Sequence, residues 1–292
     1  MKGGAGMKKN KGIRFQLIRA LLVLLALIML LPMLQTFLYS FSSISQMKAY
    51  MKTRGNFSED SWMSSNLSPK MFSLDQYYHI LITDNTVLRL FLNSVFYAVL
   101  ILLGQFLIIP PLAFALSKFR FPGRDMLFFA IILLMVLPFQ VTMVPNVLTL
   151  RSLNLLDTIW SVILPLCFSP FYVFLIRQFM VTLPDELLEA ASIDGAGPFR
   201  TYVHILLPVC RPILGAAAAL SFADCWNLVE QPLTYLTHRT DLQPLSTMFN
   251  QLAAENTGFE FAGAALYILP ALFVYMFFQE DVLSGLQLTE MK

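Results

Sequence analysis

Few side chains in this 292-residue chain are placed to do covalent chemistry. His79, His204 and His238 share no metal-ligand spacing. Cys167, Cys210 and Cys225 form no CxxC pair, and each sits in or beside an apolar run, as small buried hydrophobes do. There is no G-x-x-x-x-G-K-S/T phosphate loop, so the chain does not bind ATP by that device, and no G-x-S-x-G or H-E-x-x-H. The polar residues that stand out are Asp224, Asn227 and Glu230, three apart in an otherwise apolar run, with Trp226 among them. Carboxylates and amides exchange hydrogen bonds with hydroxyl groups, and aromatic faces pack on sugars. That is chemistry for passing a hydroxylated solute along a surface.

The elements that must position these residues follow from composition. Hydrophobic residues make up 57% of the chain and charged residues 13%, whereas soluble domains carry about 25% charge. So little charge cannot cover a water-soluble globule, and it argues against a disordered chain or a secreted disulfide scaffold. A net charge of +2 supplies no field for nucleic acid. The expectation is an all-α integral membrane protein. Crossing a bilayer takes roughly 20 apolar residues. Such runs predict six transmembrane helices at 17–39, 91–116, 126–148, 158–180, 213–236 and 261–278. The first has its apolar block 21–31 just after Lys8, Lys9, Lys11, Arg14 and Arg19 and is longer than a signal-peptide core, so it is read as an uncleaved span. An N-terminal segment 1–16, an outer loop 40–90 and a tail 279–292 complete the layout.

Loop charge sets orientation. With the N-terminus inside, thirteen of the 20 Lys and Arg fall on the cytoplasmic side and seven outside, which favours N-in/C-in. Within this frame Asp224 sits in the fifth span. An Asp at mid-bilayer costs about 2.5–3.5 kcal/mol, whereas a Leu returns only a few tenths. Such a residue faces a partner or a wet cavity. A solute pathway and a helix–helix polar contact, with Glu230 reaching the outer interface, both account for the triplet. Pro138 and Pro145 in the third span mark either hinges or static kinks. Gly215 and Ala216–Ala219 read as a close-packing surface. Tyr50, Trp62, Tyr77 and Tyr78 in the outer loop suit either a docking surface or a spacer.

One segment does not belong in lipid. Residues 183–212, between spans four and five, are half polar and cytoplasmic by the charge count. Pro184 suits a first helical position, and Asp185, Glu186 and Glu189 suit the first turns. Leu187, Leu188 and Ala191 form an apolar strip, Gly195 and Gly197 break the helix, and Pro198 starts a second one. A helix–turn–helix with one apolar face and acids opposite seats better on a protein than on lipid, where a basic face is expected.

Glu189-Ala190-Ala191, three residues, Gly195, nine residues, then Ile205-Leu206-Leu207-Pro208 match the EAA signature of ATP-binding-cassette importer permeases at every fixed position. The wider chain, over a core of about 90–286, resembles the maltose-transporter-type permeases of the carbohydrate-uptake branch. This rests on Asn93-Ser94, the 115–124 stretch ALSKFRFPGR, Pro138 and Pro145, Leu155-Leu156-Asp157-Thr158, the 174–179 stretch FLIRQF, and Trp226-Asn227 with Pro232-Leu233.

The resemblance implies that 183–212 is a coupling segment docked on an ATPase subunit, with Glu189, Ala190, Ala191, Asp194, Gly195, Ile205, Leu207 and Pro208 as its signature. Gly195 would supply either a positive φ or a tight backbone approach. It implies a multi-pass subunit of the bacterial cell membrane that moves a carbohydrate, an oligosaccharide in particular, by alternating access. The implied partners are a second, homologous permease, two ABC ATPases and an extracytoplasmic solute-binding protein. This chain would hold no cofactor, ATP and Mg being bound by the ATPase. Gly285-Leu286 fits the family tail, but Gln287-Leu288-Thr289-Glu290 replaces its basic, glycine-rich ending. The competing readings are a permease for a non-sugar solute, a self-contained secondary transporter, for which no internal repeat is seen, and a membrane enzyme, for which no catalytic pair is seen.

Overall fold

The computed structural model describes residues 5–48, 71–83, 85–248 and 259–290. Tyr50 and Trp62 of the outer loop lie outside the described residues. Among the described residues the chain is helical apart from turns, connecting segments and one isolated bridge between Ser42 and Phe72. Helix α1 covers Ala5–Ser40, α2 Asn85–Lys118, α3 Arg124–Val136, α4 Phe139–Ser152, α5 Ile159–Leu166 and α6 Pro170–Thr182. Then come α7 at Glu186–Ile193, α8 at Pro198–Val209, α9 at Arg211–Trp226, α10 at Glu230–Tyr235 and α11 at Glu260–Glu290.

Four stretches are long and apolar enough to cross a membrane by themselves: Phe15–Ser40, Asn85–Lys118, Ile159–Thr182 and Glu260–Val282. Two more pairs meet that test only together, α3 with α4 bent by 107° and α8 with α9 bent by 75°. Among the described residues, four stretches are thus long and apolar enough to be spans, or up to six if each bent pair is one.

Proline chemistry explains the breaks. Leu137, before Pro138, is extended (φ −71°, ψ 122°), because a following proline disfavours the helical region. The expected span 126–148 therefore falls on two helices of 13 and 14 residues. Each is about 20 Å long at 1.5 Å per residue, too short to cross a 30 Å hydrocarbon core alone. The expected span 213–236 is interrupted as well. Helix α9 ends at Trp226, and α10 starts at Glu230. A continuous helix would drive the Pro232 ring into the carbonyl of Leu228. That carbonyl instead accepts the Ser246 hydroxyl.

The chain divides into two units. The first holds residues 1–85 and 252–266. In it the buried Gln76 amide donates to Tyr39 O and Ser42 O, both at 2.9 Å, and its Oε1 accepts Ala262 N at 3.2 Å. Residues 15–34 of α1 are exposed all round. The second unit holds residues 86–251 and 267–292. One of its apolar clusters joins α2, α3, α6, α8 and α9 through Phe114, Ile131, Ile176, Leu206 and Ile213. The other joins α2, α4, α5, α9 and α10 through Tyr97, Leu150, Val162, Trp226 and Tyr235. The helices come close at Gly104, where a side-chain Cβ would collide with Cys167 Sγ, and at Gly215, where it would collide with Asp281. Cys210 and Cys225 are buried and unbridged.

Candidate functional site

The segment 183–212 carries two helices, α7 and α8, joined by a turn at 194–197. Glu186 and Glu189 lie in the first turn of α7, where the helix dipole favours acids. The helix closes in a Schellman motif: Ala196 N donates to Ala191 O at 2.9 Å and Gly195 N to Ser192 O at 3.1 Å. That motif needs a left-handed residue, and Gly195 has φ +79°. A Cβ on Gly195 would meet nothing within 4 Å. Of the two reasons for glycine considered above, backbone conformation is therefore the one that operates within this chain. Pro198 starts α8, which widens to π geometry over Tyr202–Leu206. Pro208 accounts for this, since its ring displaces the carbonyl four residues back, at His204.

The signature residues divide by exposure. Glu189, Ala190, Asp194, Gly195 and Pro208 are exposed, Ile205 and Leu207 half-buried, and Ala191 buried. Ile193 and Phe199, on either side of the turn, are 86% and 79% exposed. Large apolar side chains are thus bare where the sequence places water.

The end of α2 holds this segment. The Lys118 side chain is only 4% exposed; its Nζ donates to Leu183 O and to Asp185 Oδ1, each at 2.6 Å. This hydrogen bond, with the ammonium charge behind it, holds the Asp185 carboxyl below its usual range. One turn earlier, Phe114 stacks on Tyr202 of α8 at 5.5 Å. Sequence reading placed Lys118 in the basic loop count and in the 115–124 stretch of the resemblance but gave it no partner, because its partners lie about 65 positions away.

At the other polar cluster, Asp224 is exposed near the end of α9, and its Oδ2 accepts the buried Tyr172 hydroxyl at 2.6 Å. Asn227 is exposed just past the helix, donating to Ala223 O at 2.8 Å and accepting from Tyr267 OH at 2.9 Å. Glu230 is not on that helix; it opens α10 and accepts from Gln140 at 3.0 Å. Trp226 is 1% exposed and packs among Phe91, Phe222 and Tyr267, with its Nε1 donating to Tyr267 O at 2.9 Å. Its ring is core and offers no face to a solute. Tyr172, Gln105 and Ser221 escaped sequence reading. Gln105 donates to Leu166 O at 2.8 Å and accepts from Ser221 Oγ, bracing α2 to α5 and α9. The cavity they line measures about 20 Å³, room for roughly one water, so a solute would meet the exposed face instead.

Residues 109–282 match the family model described as binding-protein-dependent transport system inner membrane component. The arabinooligosaccharides transport system permease protein AraQ of Halalkalibacterium halodurans is 30% identical over 75% of this chain and 79% of its own length. The sn-glycerol-3-phosphate transport system permease protein UgpE of Escherichia coli O157:H7 is 34% identical over 68% of this chain and 72% of its own. A solved chain of a bacterial ABC transporter involved in the import of the acidic polysaccharide alginate has the same fold. Its TM-score is 0.77 at 23% identity, covering 93% of this chain and 97% of that one.

Proposed function

The chain belongs to the family of binding-protein-dependent transport system inner membrane components, and from that membership we propose that it is one permease subunit of an ATP-driven importer of a carbohydrate, an oligosaccharide in particular. It sits in the cell membrane as six spans, N-in/C-in, with the bent pair α3–α4 serving as the third and α9 with α10, over 213–236, as the fifth. It pairs with a second, homologous permease. Two ABC ATPases hydrolyse ATP on the cytoplasmic side, an extracytoplasmic protein delivers the solute, and this chain does no covalent chemistry.

The observation that carries the reading is the face around Gly195. Acids, Ala190, Ile193 and Phe199 stand exposed around a turn closed by its own backbone hydrogen bonds, which suits a cleft on another protein. Closure of the ATPase dimer pushes on α7 and α8, the spans reorient, and the pathway opens outward. Asp224 and Asn227 face that pathway, Glu230 flanks it, and Trp226 holds the end of α9 in place. Sugar as the solute follows the arabinooligosaccharide relative. The sn-glycerol-3-phosphate relative supports a second reading, a small polyol ester, by the same machine.

The test is co-purification of the ATPase with this permease and its partner. Gly195→Glu and Glu189→Lys should each abolish retention of the ATPase while both permeases still insert together. Undiminished retention would remove the coupling assignment.

A further inference from the structure

Helix α2 is gripped at both ends. At one end Phe114 and Lys118, four residues apart and so on one face, hold the EAA segment on both sides of its glycine turn. Lys118 takes Leu183 and Asp185 ahead of α7, and Phe114 takes Tyr202 behind the turn. Asp185 remains 71% exposed, so the confined partner is the ammonium. A buried ammonium must keep its partners. At the other end Asn93 Nδ2 donates to Asp241 O and Gln243 O at 2.9 and 3.0 Å, Ser94 Oγ accepts Leu245 N at 2.8 Å, and Tyr97 OH donates to Leu242 O at 2.8 Å. There too Phe91 packs edge-on against Trp226, the residue before Asn227. Between these grips α2 stays helical through Pro110 and Pro111, about 38 Å from Asn93 to Lys118 at 1.5 Å per residue.

We infer that α2 is the rod that carries coupling motion to the outer end of the pathway, with Lys118 as the positioning residue that ties it to the EAA segment. This rests on the coupling role proposed above. Without Lys118 the segment ahead of α7 would have no side-chain tie to α2, and a push on α7 would not reach it. With Lys118 in place, the push on α7 displaces α2, and α2 displaces Trp226 and the 241–245 loop.

The test uses the whole complex in proteoliposomes, with MgATP and vanadate as the probe. Asn227→Cys, in a background with the native cysteines replaced, is labelled from outside by a membrane-impermeant maleimide. With Lys118 present, trapping should change the labelling rate at least fivefold. Lys118→Met should reduce that change to less than twofold while ADP is still trapped, and Lys118→Arg should restore most of it. A full change in Lys118→Met overturns the inference. If Lys118→Met does not assemble, Asp185→Asn decides, because it keeps the bond to Leu183. Its change should fall by about half, and an unaltered change overturns the inference. Gly195→Glu separates the two levels. If its ADP trapping and labelling change are both normal, the coupling assignment itself fails. If Gly195→Glu loses the change and Lys118→Met keeps it, only the rod fails.

Discussion

Gly195 offers a clean separation between two demands that a glycine can meet. Its φ of +79° is one that an L side chain adopts at a cost of about 1–2 kcal/mol. A Cβ there meets no atom of this chain within 4 Å, so conformation is the whole intramolecular penalty. If the ATPase binds only the closed turn, Gly195→Ala should weaken its binding by that amount, about 5- to 30-fold at 1.4 kcal/mol per tenfold. Asn tolerates the left-handed region better than Ala, so Gly195→Asn should bind within a few-fold of the native chain. Titrating labelled ATPase onto the detergent-solubilised permease pair measures all three affinities. The order should be Gly, then Asn, then Ala. Asn binding more weakly than Ala would refute the reasoning, because it would mean that side-chain bulk against the ATPase, rather than φ, sets the requirement.

Three further outcomes follow from the packing. Gly104→Ala should lower Tm, an overpacking cost of about 1–3 kcal/mol, and adding Cys167→Ala should recover most of it by removing the Sγ in the way. Trp226→Ala should cost about 3–5 kcal/mol as a core truncation, whereas Asn227→Ala should leave Tm unchanged and reduce uptake of the solute the binding protein delivers; thermal unfolding and uptake in cells tell them apart. The Asp185 carboxyl is a stronger acid folded than unfolded. Its contribution is therefore present above the unfolded pKa of about 3.9 and lost as pH falls through the lower folded value. A Tm series against pH should show a drop in that acid range which Asp185→Asn reduces.

What could be read from sequence was what depends on neighbours in sequence. The Glu189–Pro208 spacing, the turn at Gly195 and the apolar runs are local patterns, and the family match over 109–282 agrees with them. Residues 126–148 and 213–236 looked like unbroken spans because hydropathy averages over a proline's steric reach. Pro138 acts on the residue before it and Pro232 on the carbonyl four back, which turns runs of suitable length into bent or interrupted helices. Trp226 read as a sugar platform because its ring type suited one, but Phe91, Phe222 and Tyr267 claim both its faces and edge. Lys118 read as a topology signal because nothing near it in sequence reveals Leu183 or Asp185.

The short helices α3 and α4 have a consequence for the surrounding lipid. A bent pair has no fixed length along the bilayer normal; it spans more or less as its angle opens or closes. Long single helices such as α2 impose one thickness on the annulus around them, and the bent pair can adjust to another. Any change in the angle at Leu137 is therefore also a change in hydrophobic mismatch, at fractions of a kcal/mol per Å. A thicker or thinner bilayer should therefore favour a different angle in the bent pair, a shift that reconstitution in lipids of different chain length would reveal.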